Sequence, residues 1–177
     1  MGRYVAFLRG INVSGQKLIK MEALRKAFAE TGFVDVKTYI QSGNVIFDSE
    51  VTDTKKLTLR LEDLIEQSFG FRTDVILRRH NDIESILNSL QTSREKHPDE
   101  NKYYITFLKE AYSEPFTMPL FSKNNDVVVT YHNRMEFVSI SKLYKGQYGF
   151  PNAYIEKLTG IPATTRNPLT LGKILEL

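Results

Sequence analysis

The chain has 177 residues, 24 Lys and Arg against 21 Asp and Glu, eleven Phe, nine Tyr and no Cys. That length suits one ordinary domain or two small ones, and such a chain buries roughly 70% of its unfolded surface, enough for a core without covalent staples. The missing Cys excludes a disulfide framework, a thiolate zinc site and a cysteine nucleophile; no apolar run has membrane-spanning length and the first residues lack a signal-peptide pattern, so the chain reads as a soluble, cytoplasmic protein with no membrane partner.

In chain order, the first half reads strand, helix, strand, strand, helix, strand. Residues 3–8 are apolar-rich and run into Gly10, a strand entering a loop. Met21, Leu24, Phe28 and Thr31 lie at i, i+3, i+7 and i+10 on one helical face, and Gly32 supplies the stop. Residues 34–40 and 44–47 are β-branched and aromatic, and Ser42-Gly43 between them predicts a hairpin. Asp53 is placed to cap a second helix carrying Leu57, Leu61, Leu64 and Ile65, closed by Gly70. A strand at 73–77 completes a βαββαβ unit of the ferredoxin-like kind, whose right-handed crossovers put both helices on one face of the sheet.

The second half repeats this rhythm less cleanly. Ile83, Ile86, Leu87 and Leu90 predict a short helix, and the polar stretch 91–101 an exposed loop or linker. A strand at 102–108 precedes a Pro-interrupted segment at 113–121. Strands at 126–131 and 135–140 flank His132-Asn133-Arg134 as a second hairpin. Pro151 suits the first turn of a helix reaching Leu158 and closed by Gly160, and Asn167-Pro168 opens a last helix with Leu171, Ile174 and Leu175 on one face. Residues 163–165 make a poor final strand. The expected fold is α+β, two ferredoxin-like (alpha-beta plait) halves at 1–79 and 80–177, the second less regular.

The net charge of +3 is unevenly spread. Residues 1–26 carry six cations against Glu22 alone, a balance of +5, and residues 134–173 carry six against Glu136 and Glu156, a balance of +4. The rest stands at −6. Such asymmetry bears on partners rather than on fold.

Several motifs fall in the basic ends. The loop after the first strand holds Gly10 and Gly15 at Walker spacing, but Gln16 separates Gly15 from Lys17 and Leu18 follows it, so the phosphate loop fails. The dinucleotide fingerprint fails for want of a third glycine. What remains is a glycine-containing loop with Arg9, Asn12, Ser14 and Lys17 as polar groups, able to offer amides and cations to an anion, or simply a turn. Gln41, Ser42, Gly43 and Asn44 are turn formers with the same two readings. Asn167 is an expected helix cap, whereas Arg166 beside a helix start would reinforce an anion site.

Catalytic constellations are lacking. His80, His97 and His132 are widely spaced and form no metal-ligand cluster, no Ser lies in G-x-S-x-G, and 124–126 lack the rest of a calcium loop. The sequence therefore assigns no catalytic residue, metal or cofactor. Lys142, Tyr144 and Lys145 near Gly146 read as a ligand-facing group or an exposed loop. An RNA-recognition motif shares the βαββαβ topology, but Ser42, Asn44 and Ile46 stand where its third strand wants basic and aromatic residues.

Four segments resemble one family: RYVAFLRGINVSG at 3–15, MEALRKAF followed by TGF at 21–33, TYIQSGNVIFDS at 38–49, and TTRN at 164–167. Together they resemble the domain of unknown function 1697 family, which is mainly bacterial. Ser14 departs from it where a second glycine is usual, and Pro168 where tryptophan is usual. The resemblance implies two ferredoxin-like halves and brings no activity, substrate or catalytic residue.

These readings converge on a small anionic ligand, phosphate-bearing or nucleotide-like, held in an electropositive cleft between the halves. Arg9 and Arg166 would hold the anion and Asn12, Gln41, Ser42 and Asn44 would orient it, with Ser14, Lys17 and Asn167 as further ligand-binding residues. The alternatives are RNA or single-stranded nucleic-acid binding, and a protein-interaction module without catalysis.

Overall fold

The computed structural model describes residues 1–13, 15–96 and 102–177. Among the described residues the chain is mixed α+β, with five helices and antiparallel sheets, and it divides into Met1–Asp82 with Lys173–Leu177 as one unit and Ile83–Gly172 as the other.

The first unit runs β1 (Gly2–Leu8), α1 (Met21–Glu30), β2 (Val34–Tyr39), β3 (Asn44–Ser49), α2 (Thr54–Phe69) and β4 (Val75–Arg79). Its sheet has the order β2-β3-β1-β4, with every neighbouring pair antiparallel. Strand alternation sends Tyr4, Ala6, Leu8, Val45, Phe47, Val75 and Leu77 to one core with Leu24 and Phe28 of α1 and Leu57, Leu61, Leu64 and Ile65 of α2. These are the apolar helical positions the periodicity predicts. Each such side chain contributes roughly 1.5–3 kcal/mol when fully buried. Val5, Phe7, Ile46 and Ile76, on the alternate positions, are buried as well. That explains why β1 and β3 read as nearly continuous apolar runs. Tyr4 and Phe47 stack at 5.9 Å inside this core, so they are no surface platform for RNA bases.

The Asp53 carboxylate accepts from the amides of Lys55 and Lys56, the cap the sequence predicts. The last strand lies two residues later than the predicted 73–77. Thr73 is drawn off to the β1 exit loop, where its hydroxyl donates to the Arg9 carbonyl, while the Arg9 amide donates to the Asp74 carbonyl at 2.9 Å. β4 leads directly into α3 (His80–Lys96), far longer than the predicted short helix. Residues 91–96, predicted as loop, continue it. Gln91, Arg94, Glu95 and Lys96 are good helix formers, and Pro98 is the first breaker in the sequence. Residues 97–101 of the predicted loop, with His97, lie outside the described residues.

The second unit's strands are β5 (Tyr103–Leu108), β6 (Leu120–Phe121), β7 (Val127–His132), β8 (Glu136–Ser141), β9 (Leu143–Tyr144), β10 (Gln147–Tyr148) and β11 (Ala163–Arg166). Helix α4 (Pro151–Thr159) precedes β11, and α5 (Pro168–Leu175) follows it. The main sheet has the order β11-β5-β8-β7-β6, and β9 and β10 pair separately. Leu108, Val129, Phe137, Ile155 and Ala163 form a core joined by Tyr112, Phe116 and Met118 from the Pro-interrupted segment. No helix occupies 109–119, which is the irregularity the sequence anticipates.

Residues 163–165, read from sequence as a poor strand, form most of β11. They pair from Ala163↔Leu108 to Arg166↔Ile105, and the Thr106 and Thr165 hydroxyls meet at 2.8 Å. β-branched threonines suit that pleated surface, and a polar pair supplies what an apolar count misses. Arg166 thus ends a strand and lies two residues before the start of α5.

Candidate anion-binding loop and hairpin

The β1 exit loop is shaped by residues in the left-handed region: Gly10 (φ 67°), Asn12 (54°), Gly15 (74°) and Lys17 (48°). These residues let the loop close on itself: the Asn12 amide donates to the Lys17 carbonyl at 3.2 Å and the Gln16 amide to the Val13 carbonyl at 3.0 Å. Asn12 fixes the loop. Its Oδ1 accepts from the Ile19 amide at 2.8 Å, and its Nδ2 donates to the Ile19 carbonyl at 3.0 Å and the Gln41 carbonyl at 2.7 Å. The Leu8 amide adds a bond to the Gly43 carbonyl at 2.9 Å. The loop and the β2–β3 hairpin, two segments the sequence singles out, therefore share one end of the first sheet.

Two cations project from this loop. Arg9 is half-buried, with Nη1 3.9 Å from Asp74, a loose pair. Lys17 is exposed; its ammonium donates to the Arg72 carbonyl at 3.0 Å and lies 5.9 Å from the Phe71 ring centre. Arg72 is itself paired with Asp63 and Glu66. Gln41 is exposed at the hairpin tip and Ser42 is half-buried. Asn44 is fully buried, and its Nδ2 donates to the Tyr39 carbonyl at 2.9 Å and Ser42 Oγ at 3.0 Å, so its amide serves the turn. Ser14 lies outside the described residues.

Arg166 and Asn167 belong to the second unit. Arg166 Nη1 donates to Thr164 Oγ1 at 2.7 Å and to the Thr165 carbonyl at 2.9 Å. Desolvation of the guanidinium lowers its pKa to about 10, which leaves it charged at neutral pH. Asn167 Oδ1 accepts from the Thr170 amide at 2.8 Å, the expected cap of α5.

Three features at these ends escape sequence reasoning. The reciprocal Asn12–Ile19 bonds carry no local pattern. Ile40 has φ 50° although it is β-branched, a conformation that propensity argues against. The β9–β10 hairpin turns at Lys145 (φ 49°) and Gly146 (φ 81°), and there a signal exists: a two-residue turn ending in Gly with Tyr144 before it and Tyr148 shortly after.

A family model described as a protein of unknown function, DUF1697, matches residues 1–135. The chain belongs to this family. The match holds the whole loop and hairpin of the DUF1697 chain, while Arg166 and Asn167 lie beyond it. Over 99% of this chain and 97% of the other, it is similar to the solved structure of the conserved bacterial protein SP0830 from Streptococcus pneumoniae, with a TM-score of 0.69 and 26% identity. No curated protein matches it.

Proposed function

We propose that the DUF1697 chain binds a small anionic ligand, phosphate-bearing or nucleotide-like, at the 9–17 loop and the hairpin tip of its first unit. The observation that carries this reading is the Asn12 side chain, which ties the loop to the Gln41 carbonyl and so brings Arg9, Lys17 and Gln41 to one sheet end. Arg9 and Lys17 supply charge, and Gln41 and Ser42 offer neutral hydrogen bonds. The reading is one of binding and assigns no general base or nucleophile.

The reading includes a cytoplasmic protein of bacterial type; the streptococcal neighbour supports the latter. It also includes ferredoxin-like halves. The order β2-β3-β1-β4 of the βαββαβ first unit supports one, and β11-β5-β8-β7 supports a second in which residues 109–126 replace the first helix.

Thermal melts against inorganic phosphate, nucleoside monophosphates and sugar phosphates test the function. A ligand at 100 times its Kd stabilises by about 2.7 kcal/mol, which raises Tm by roughly 5–10 °C for a chain of this size. Arg9→Ala with Lys17→Ala abolishes the rise. A panel without any shift, or shifts from polyanions alone, contradicts the reading.

A further inference from the structure

We infer that the β9–β10 hairpin, with Tyr104 and Phe150 beside it, is a stacking surface for single-stranded nucleic acid. Leu143, Tyr144, Tyr148 and Phe150 are 62%, 40%, 50% and 59% exposed, a concentration of large apolar side chains within eight residues. Exposed rings gathered this way on a folded surface mark a binding site more often than chance. The register pairs Leu143 with Tyr148 and Tyr144 with Gln147, so rings stand on both faces of the hairpin. Phe150 extends the surface and meets Tyr104 of β5 edge-on, with ring centres 6.3 Å apart.

The hairpin is anchored rather than loose. Lys142 donates its amide to the Asp126 carbonyl at 2.8 Å, and Ser141 Oγ donates to the Gly149 carbonyl at 2.6 Å. A Cβ on Gly149 would lie 2.4 Å from the Asp126 carbonyl oxygen, so only glycine lets the returning strand lie this close to β7. The backbone that carries the rings is therefore tied down before any ligand arrives, which lowers the ordering cost of binding.

Charge decides among occupants. Residues 137–155 contain Lys142 and Lys145 and no Asp or Glu. Lys102 Nζ lies 5.1 Å from the Tyr148 ring centre and Lys145 Nζ 5.4 Å from that of Tyr144. Among the described residues neither Lys102 nor Lys145 forms an ion pair with a carboxylate. Rings interleaved with lysines match a strand that alternates π-faced bases with phosphates, and stacking on such rings is tolerant of sequence. The surface lies wholly in the second unit and shares no residue with the loop and hairpin of the first.

Fluorescence anisotropy of the full chain with labelled oligothymidylate and oligouridylate of about 15 nucleotides tests this. Binding is expected at low salt, weakening steeply as salt is added. Tyr148→Ala and Phe150→Ala each weaken it about tenfold, Tyr148→Phe retains it, and Lys102→Ala with Lys145→Ala flattens the salt dependence. These side chains are exposed, so the variants keep the parent Tm. Absence of binding at low salt, or binding unchanged in the Tyr148→Ala, Phe150→Ala double variant, overturns the proposal. So does a chain that ignores both oligonucleotides but sediments with phosphatidylglycerol vesicles, or self-associates, through these same rings.

Discussion

Gly43 has no room for a methyl group. A Cβ there would stand 2.7 Å from Ile11 Cδ1 and 2.9 Å from Leu8 Cβ, and φ is 77°. Gly43→Ala is therefore expected to cost at least about 2 kcal/mol, read as a lower urea midpoint. Its neighbour Ile40 presents the opposite case: it is exposed and β-branched, yet held at φ 50°. Left-handed geometry costs an L-residue roughly 1–2 kcal/mol, so Ile40→Gly should stabilise by up to about 1 kcal/mol after glycine's own entropy loss; a lower midpoint would show that the side chain's contacts outweigh the strain. Ser139 Oγ is buried without a hydrogen-bond partner among the described residues. Ser139→Ala should be neutral or stabilising, because it removes a desolvated hydroxyl that gains nothing in return. At this scale the sequence was informative where a residue type has a single strong use. Asp53 and Asn167 read as caps and are caps, and Ser42, Gly43 and Asn44 read as turn formers and build the turn. Asn12 was legible only as a polar loop residue, because its partners depend on how the chain returns.

Elements were legible where periodicity was unbroken. The apolar stripes of α1 and α2 and both long hairpins follow from spacing alone. Polar β11 read only as a poor strand, and the last turns of α3 as loop, because pairing with β5 and intrinsic helix propensity, rather than an apolar pattern, sustain them. Between elements, charge does some of the fastening. Arg3 of β1 donates to Asp35 of β2 at 3.0 Å and to Asp48 of β3 at 3.1 Å, and Lys37 lies 3.2 Å from Asp35. The Arg3 hydrogen bond, then that of Lys37, holds the Asp35 carboxyl below its ordinary pKa. A carboxyl whose folded pKa is depressed adds stability above its unfolded value, and loses it as pH falls through that value to the folded one. Stability should accordingly decline below about pH 4, and Arg3→Met should flatten the acid limb. Because the pair is exposed, the effect is small and fades in high salt. An acid limb identical in parent and variant would contradict this assignment.

For the whole molecule, the linear charge balance pointed to both chain ends without distinguishing engaged cations from open ones. In the first segment Arg3 is committed to Asp35 and Asp48, Lys26 pairs with Glu30, and Arg25 donates to Thr38. Arg9 pairs with Asp74, and Lys17, from the same loop, donates to the Arg72 carbonyl. In the second segment Arg166 is drawn onto its own strand, while Lys142 and Lys145 accompany the exposed rings. Sequence position alone could not separate these roles, since pairing depends on strands distant in the chain. The central claim is that the 9–17 loop and hairpin tip of the first unit receive a small anion. A titration of the 15N-labelled full chain with adenosine monophosphate, and in parallel with inorganic phosphate, tests it most directly. Saturable amide shifts are expected at residues 10–13, 15–17 and 41–43, and should vanish in the Arg9→Ala, Lys17→Ala double variant. Shifts confined to other residues, or none with ligand in large excess, would contradict the claim.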